Sequence, residues 1–459
     1  ASLVGSEMCI RDRNNRMEQI KLSKEGKSQS LYVDAKKIIP GGGQLLSKRP
    51  EQFLPDYLPA YYSKAKGCYI WDLDGNKILD MSTMGIGSCI IGYADDEINT
   101  VVKNCIDNGS MSSLMAPEEV ELANMLLDLH PWADMVRYAK GGGDAMAVAV
   151  RIARAATEKD IILFSGYHGW HDWYLSANLA DNKALDGQLL KGLSPVGVAR
   201  ELKGTSYPFF YNNKEEFLDL ISKYGDKIGG VVLEAVRGTQ PEDGFFETIM
   251  AETKRLGVPL IIDEVTSGFR LTCGGSHLVY GIEPDICVFA KGMANGFPMA
   301  AIIGKAKFMD HAQDSFISST FWTERIGLTA AIATIKKMQR ENVQKHLIDC
   351  GRQIQEGWKM YADKYGINIH VTGILPLSHI SFIDDPLVLK TLFTQEMLRR
   401  GILAKDSYYA SFAHKQEHID YYFSVVDEVF AIMAEAIRTD TVKDLLLGPV
   451  CMTGFQRLA

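Results

Sequence analysis

The chain has 459 residues, of which 46% are apolar and 23% charged, and its net charge is −8. That is too much chain for one small core and fits a large domain with a smaller one, in proportions ordinary for a soluble globular protein. The mild acidity and the lack of a basic block speak against a nucleic-acid or anionic-lipid partner, and no apolar run reaches the roughly 18–20 residues that span a bilayer.

Residues 1–13, ASLVGSEMCIRDR, lack the apolar stretch of a signal peptide and do not run into the pattern that follows. They read as a non-native leader translated from adapter DNA, with Met17 as the expected native start. Eight cysteines stand at 9, 68, 89, 105, 273, 287, 350 and 451. None has CxxC or zinc-ribbon spacing, so they read as reduced thiols of a cytoplasmic protein.

From about 31 to 82 the chain reads as irregular, apart from a hairpin in GCYIWDLDGNKILDM (67–81) turning at Asp74-Gly75-Asn76. EEVELANMLLDLH (118–130) has helical periodicity, and AMAVAVRIARAAT (145–157) reads as a helix behind a triple glycine. Short apolar runs then alternate with helix-length segments: IILF (161–164), GVVLEAV (230–236), PLIIDEV (259–265), ICVFAKG (286–292) and AAIIGK (300–305). Alternation of this kind predicts βαβ units and an α/β fold with a mostly parallel sheet, its strands buried on both faces. A long helix follows TFWTERIGLTAAIATIKKMQ (320–339). The remainder, with weaker strands in INIHVTG (367–373) and LSHISFI (377–383), reads as a smaller domain completed by the N-terminal segment. The expected boundaries are 14–82 for that segment, 83–335 for the large domain and 336–459 for the C-terminal part.

Ligand groups of open α/β sheets gather at the carboxyl ends of the strands. PLIIDEV runs into Asp263 and ICVFAKG into Lys291, charged residues that are costly there unless paired. One reading is an ion pair between the two. The other is chemistry: desolvation frees a lysine amine for Schiff-base work, and a carboxylate can hold a pyridine nitrogen protonated. The glycines of GGGDAM (141–146), before a helix, form a candidate phosphate cup. A rival reading takes His168, His171 and Asp172 of YHGWHDW as ligands of a metal hydrolase. A further rival is a binding or scaffold protein that kept the fold, although Lys291 and Asp263 are both retained.

In order, GGGDAMAVAVRIAR, SGYHGWHD, DEVTSGFR, FAKGMANGFP and STF resemble the class-III aminotransferases of pyridoxal-phosphate (PLP) fold type I. The resemblance is strongest to the glutamate-1-semialdehyde 2,1-aminomutase branch and covers roughly residues 31–435. It implies a large domain with a mostly parallel sheet flanked by helices, plus a small α+β domain made from both chain ends. It also implies roles. Lys291 would carry PLP as a Schiff base and Asp263 would face the ring nitrogen. Gly142 and Gly143 would give backbone donors to the phosphate. Tyr167 would stack on the ring with His168 beside it, Val265 would pack on the opposite face, and Glu234 would lie on the side of the ring hydroxyl. Thr320 would reach the phosphate of a neighbouring protomer, which implies a homodimer with shared sites.

The pattern departs from the family where Gly143 replaces the usual hydroxyl residue and where Phe321-Trp322-Thr323-Glu324-Arg325 follows Thr320. Trp170, His171 and Trp173 add bulk beside the site. The activity implied is amino transfer between an amine or amino acid and a carbonyl acceptor, with intramolecular transfer by an aminomutase as the alternative and racemase or decarboxylase chemistry behind both. Arg270, which also reads as a structural ion pair, and Arg325 are the candidates for meeting a substrate carboxylate.

Overall fold

The structure is a computed structural model that describes residues 17–456. The leader at 1–13 lies outside the described residues.

The segment expected to be irregular holds a helix, α1 (Lys27–Ile38), and a strand, β1 (Tyr62–Lys66). β1 pairs antiparallel with β2 (Tyr69–Asp72), which turns back into β3 (Lys77–Asp80). This is the hairpin read from the sequence, and its turn is pinned from within. Asp72 Oδ1 accepts from the backbone N–H groups of Asp74 and Asn76, each at 2.9 Å.

Helices α2 (Asp96–Asp107) and α3 (Glu118–Leu129) lead into the large sheet. Its strands are β4 (Met135–Ala139), β5 (Ile161–Ser165), β6 (Ser206–Pro208), β7 (Ile228–Glu234), β8 (Leu260–Asp263), β9 (Ile286–Phe289) and β10 (Ala300–Gly304). They lie in the order β4-β10-β9-β8-β7-β5-β6. All pairings from β9 through β6 are parallel, whereas β10 runs antiparallel to both β9 and β4. β4 and β6 were not read from the sequence. β4 lies at one sheet edge and β6 spans only 3 residues, so neither has the continuous apolar run of a central strand.

Between these strands lie α4 (Gly142–Thr157), α5 (Lys214–Tyr224) and α6 (Phe245–Leu256). Side chains alternate across the sheet, as strand geometry requires. Leu163, Leu233, Ile262 and Phe289 join one core, while Phe164, Val232, Ile261 and Val288 join the core on the other face under α4. Each such side chain contributes roughly 1.5–3 kcal/mol on burial. This two-sided burial is what holds the carboxyl edge of the sheet rigid.

The long helix α7 (Arg325–Glu341) follows, then α8 (Val343–Tyr365), β11 (Ile369–Thr372), β12 (Leu377–Phe382), α9 (Pro386–Arg399), β13 (Ile402–Leu403), β14 (Ser407–Tyr409) and α10 (Gln416–Arg438). β13 adds parallel to β3, with Ile402 opposite Leu79, so the two ends of the chain share a four-stranded sheet. β11, β12 and β14 form a separate antiparallel sheet.

Candidate active site

β5, β7, β8 and β9 are parallel, so their carboxyl ends open on one edge. In register, Glu234 at the end of β7 lies beside Asp263 at the end of β8. A cavity of about 460 Å³ sits over that edge. Gly142, Gly143, Tyr167, His168, Asp263, Val265 and Lys291 all line it, which brings together seven of the nine residues picked from the sequence. Glu234 lines a neighbouring cavity instead. Thr320 does not line the site cavity; it is exposed, in a helical turn ahead of α7.

Lys291 and Asp263 make no ion pair with each other among the described residues. Lys291 lies two residues beyond β9 and takes a φ of +43°, a conformation that non-glycine residues seldom adopt. Its Nζ donates to Thr266 Oγ1 at 2.8 Å. Burial, reinforced by the charges of Arg237 and Arg270, pulls the amine from its ordinary 10.5 to about 7. A buried lysine with a hydroxyl partner rather than a carboxylate is an available nucleophile and base near neutrality.

Asp263 is 3% exposed. Such a burial is tolerable because both oxygens are held: the backbone N–H of Val265 donates to Oδ1 at 2.9 Å, and His168 Nδ1 lies 2.8 Å from Oδ2. The other ring nitrogen of His168 donates to the carbonyl of Ser165 at 2.9 Å. The imidazole is thereby locked between β5 and β8.

α4 begins at Gly142, three residues before the helix expected at 145, so the glycines themselves form its first turn. The free N–H groups of that turn face the cavity end of the helix, where the dipole favours an anion. Close approach is built in. A Cβ on Gly142 would stand 2.8 Å from Val265 Cγ1, and one on Gly169, whose φ is +105°, would stand 3.0 Å from Gly143 Cα.

Three features of the site had not been read from the sequence. Thr266 is one, since its contact with Lys291 depends on how the loop after β8 folds. Arg237 is another; it lines the cavity, and its Nη1 meets Glu234 Oε1 at 3.3 Å and Oε2 at 3.4 Å. The third is the turn Met84-Gly85-Ile86-Gly87, four successive residues with φ between +41° and +79°. Gly87 N–H donates to the carbonyl of Thr83 at 2.6 Å, closing one left-handed turn. The alternating glycines were the available signal, and the strain of Met84 and Ile86, roughly 1–2 kcal/mol each, is met at the cavity wall, which Ile86 lines.

The other sequence candidates do not converge. His168 is committed to Asp263 and Ser165, while His171 Nε2 pairs with Asp144 at 3.0 Å, so the His168, His171 and Asp172 grouping of the hydrolase reading is not formed. Glu264, His277 and Cys287 do cluster in the core. There, however, His277 Nε2 accepts from Trp132 Nε1 at 3.0 Å, and the ring's Nδ1–H lies 3.0 Å from Glu264. Arg270 is buried beneath the site, donating to the carbonyls of Thr266 and Gly87. Arg325 is engaged with Glu118, its Nη2 at 2.7 Å.

Comparisons with known proteins identify the family and the fold. The class-III aminotransferase family model matches residues 54–407. A 3-aminobutyryl-CoA aminotransferase of Cloacimonas acidaminovorans is 30% identical over 428 residues, 90% of this chain and 98% of the relative. A glutamate-1-semialdehyde 2,1-aminomutase of Methanobrevibacter smithii is 33% identical over 370 residues, 78% of this chain and 84% of the relative. The fold matches that of the FumI protein of Sphingopyxis sp. MTA144, in its PLP internal aldimine form, with a TM-score of 0.82 at 24% identity, covering 90% of this chain and 98% of that one. Given the matched span and these relatives, the chain belongs to the class-III aminotransferases, a family of PLP-dependent enzymes.

Proposed function

We propose that the chain moves an amino group between an amine or amino acid and a carbonyl acceptor, with Lys291 as the residue that carries PLP and relays the proton. The observation that carries this reading is the buried, carboxylate-free Lys291 amine facing a cavity whose walls fit the cofactor. The fit is local and physical. The bare glycine turn at the start of α4 leaves space that a Cβ would fill, Asp263 has its carboxylate fixed from behind, and Tyr167 and Val265 both line the intervening space.

In this reading Gly142 and Gly143 hold the phosphate through backbone N–H groups. Asp263 holds a proton on the ring nitrogen, kept in place by His168. Glu234, which lines the neighbouring cavity, would stand on the side of the ring hydroxyl. When bound, PLP supplies a reactive carbonyl and an electron sink. Lys291 Nζ would take the proton from the amine-bearing carbon of the substrate and deliver it to the cofactor's own reactive carbon, and Thr266 Oγ1 would orient that amine between the two events. Lys291→Ala is expected to abolish turnover and the visible absorption of the loaded enzyme. Full activity in that variant would overturn the assignment.

Dimerisation belongs to the same proposal. Thr320 sits beside an exposed apolar surface in which Leu114 is 82%, Met115 81%, Phe316 87% and Phe321 69% exposed. The loop at 109–111 is bonded to the start of α7, since Arg325 N–H donates to the carbonyl of Ser110 at 3.0 Å. Large apolar side chains left exposed on segments tied to one another suit an interface, and Thr320, on one of those segments, suits a residue that completes a partner's phosphate site. Among the described residues no helix is long and apolar enough to cross a membrane, which is compatible with the cytoplasmic location proposed from the cysteines.

Relatives of both kinds leave an aminomutase as the second reading. The two separate on one requirement. A transferase needs a second carbonyl substrate for turnover, whereas an aminomutase turns over a single amino aldehyde.

A further inference from the structure

We propose that Arg237 is the anion receiver of the substrate chamber, so that the amino substrate is one bearing a carboxylate. The inference rests on the amino-transfer reading above and names the substrate class for that site.

The two arginines singled out from sequence are unavailable. Arg270 lies beneath the floor, and Arg325 is engaged with Glu118 outside the cavity. Arg237 instead lines the same cavity as Lys291. It also lines the adjoining cavity of about 340 Å³, beside Gln188 and Thr239. Its position is therefore the junction between the reacting amine and a second space.

The guanidinium is held by Glu234 and by Tyr409. Only Nη1 meets Glu234, at 3.3 and 3.4 Å. A tight charge-assisted pair runs to about 2.7–2.9 Å and uses two nitrogens side by side. Burial pushes the Glu234 carboxyl up, and the Arg237 charge opposes that shift. The side chain keeps 17% of its surface exposed, enough to present the rest of the fork to a ligand. Arg237 is also the largest electrostatic influence on the Lys291 amine after burial itself, which places the two charges within effective range in a poorly screened space. A carboxylate seated on the arginine would offset that charge as the amine of the same molecule approaches Lys291.

The test uses the PLP-loaded holoenzyme and a matched pair of donors, 3-aminobutanoate and 3-aminobutanamide, which differ only in the charge at one end. The half-reaction is followed at the cofactor's visible band. For Arg237→Gln, the KM for the carboxylate is expected to rise about 10- to 100-fold, the loss typical of a charge-assisted hydrogen bond, while that for the amide is unchanged. A readout independent of turnover is calorimetric binding of propanoate. It should weaken in Arg237→Gln, partly recover in Arg237→Lys, and tighten in Glu234→Gln, which removes the competing carboxylate. Equal effects on both donors, or propanoate binding indifferent to residue 237, would overturn the inference. Absence of a visible cofactor band in the wild-type protein would instead overturn the reading on which it rests.

Discussion

His168 Nδ1 lies 2.8 Å from Asp263 Oδ2, although 95 residues separate the two in sequence. That contact converts a carboxylate on a buried strand end from a liability into a fixed charge. Asp263→Asn keeps the shape and removes the charge, and is expected to lower kcat by at least about 100-fold, the scale of losing a preorganised electrostatic group. His168→Ala should cost stability, about 1–3 kcal/mol for a buried acceptor left short of a donor. Its kcat should fall by less than that of Asp263→Asn. Steady-state kinetics with thermal melts of both variants checks the pair, and wild-type kcat in Asp263→Asn would contradict the role given to Asp263.

The Lys291 amine predicts a pH signature in the apoprotein. The unfolded chain keeps this proton up to the ordinary value of 10.5, whereas the folded chain releases it near 7. Between those limits the unfolded state binds more protons, so stability contributed by this group rises with pH and is lost as pH falls toward about 7. Lys291→Met has no such group. Its melting-temperature advantage over the wild type should shrink steadily as pH is raised through that window. The rate of PLP loading should rise with pH through about 7 and then level off, because only the free amine attacks.

The glycine turn predicts unequal tolerance at two adjacent positions. Gly142→Ala places a Cβ 2.8 Å from Val265 Cγ1, too close to stand without movement of the cavity wall. At Gly143 the nearest atoms to a Cβ are 3.5 Å away, on His171 and Trp170, an ordinary contact. Gly142→Ala should therefore weaken cofactor retention. Gly143→Ser should be accepted and should hold PLP at least as well, since the hydroxyl adds a phosphate donor. Equilibrium dialysis of the cofactor from each variant checks the order.

The exposed apolar residues on the segments near Thr320 make a prediction about assembly. Phe321→Asp and Met115→Asp place charge on residues 69% and 81% exposed, so the fold of the single chain should survive. Sedimentation should show monomers, with cofactor affinity reduced as in Thr320→Val. A dimer that persists in both charged variants would place the interface elsewhere.

The parts of this site that were legible in the sequence are those carried by strong local patterns. Asp263 and Lys291 stood out because each follows a β-branched or aromatic run that must be buried on both sides, and the seven-stranded sheet puts them at one edge. The triple glycine stood out as the start of a helix, although the helix begins inside it at Gly142 rather than after it. What was not legible depends on loop conformation and long-range pairing. Thr266 and Arg237 lie only a few residues past strands that were identified, yet nothing in residue type says that one would meet Lys291 and the other face the cavity. The left-handed turn at 84–87 is closed by its own hydrogen bond, and the loop just after it is tied to a segment distant in sequence, where Asn295 Oδ1 accepts from Ile91 N–H at 2.9 Å. Edge strand β4 and the three-residue β6 gain their structure from neighbours rather than from their own sequence.

The central claim is that Lys291 carries the cofactor, and it is tested most directly by borohydride reduction of the loaded protein followed by peptide mass mapping. The account predicts the cofactor's mass on the peptide containing Lys291 and its loss in Lys291→Ala. A reduced adduct on any other lysine, or none on a protein that still turns over, would contradict it.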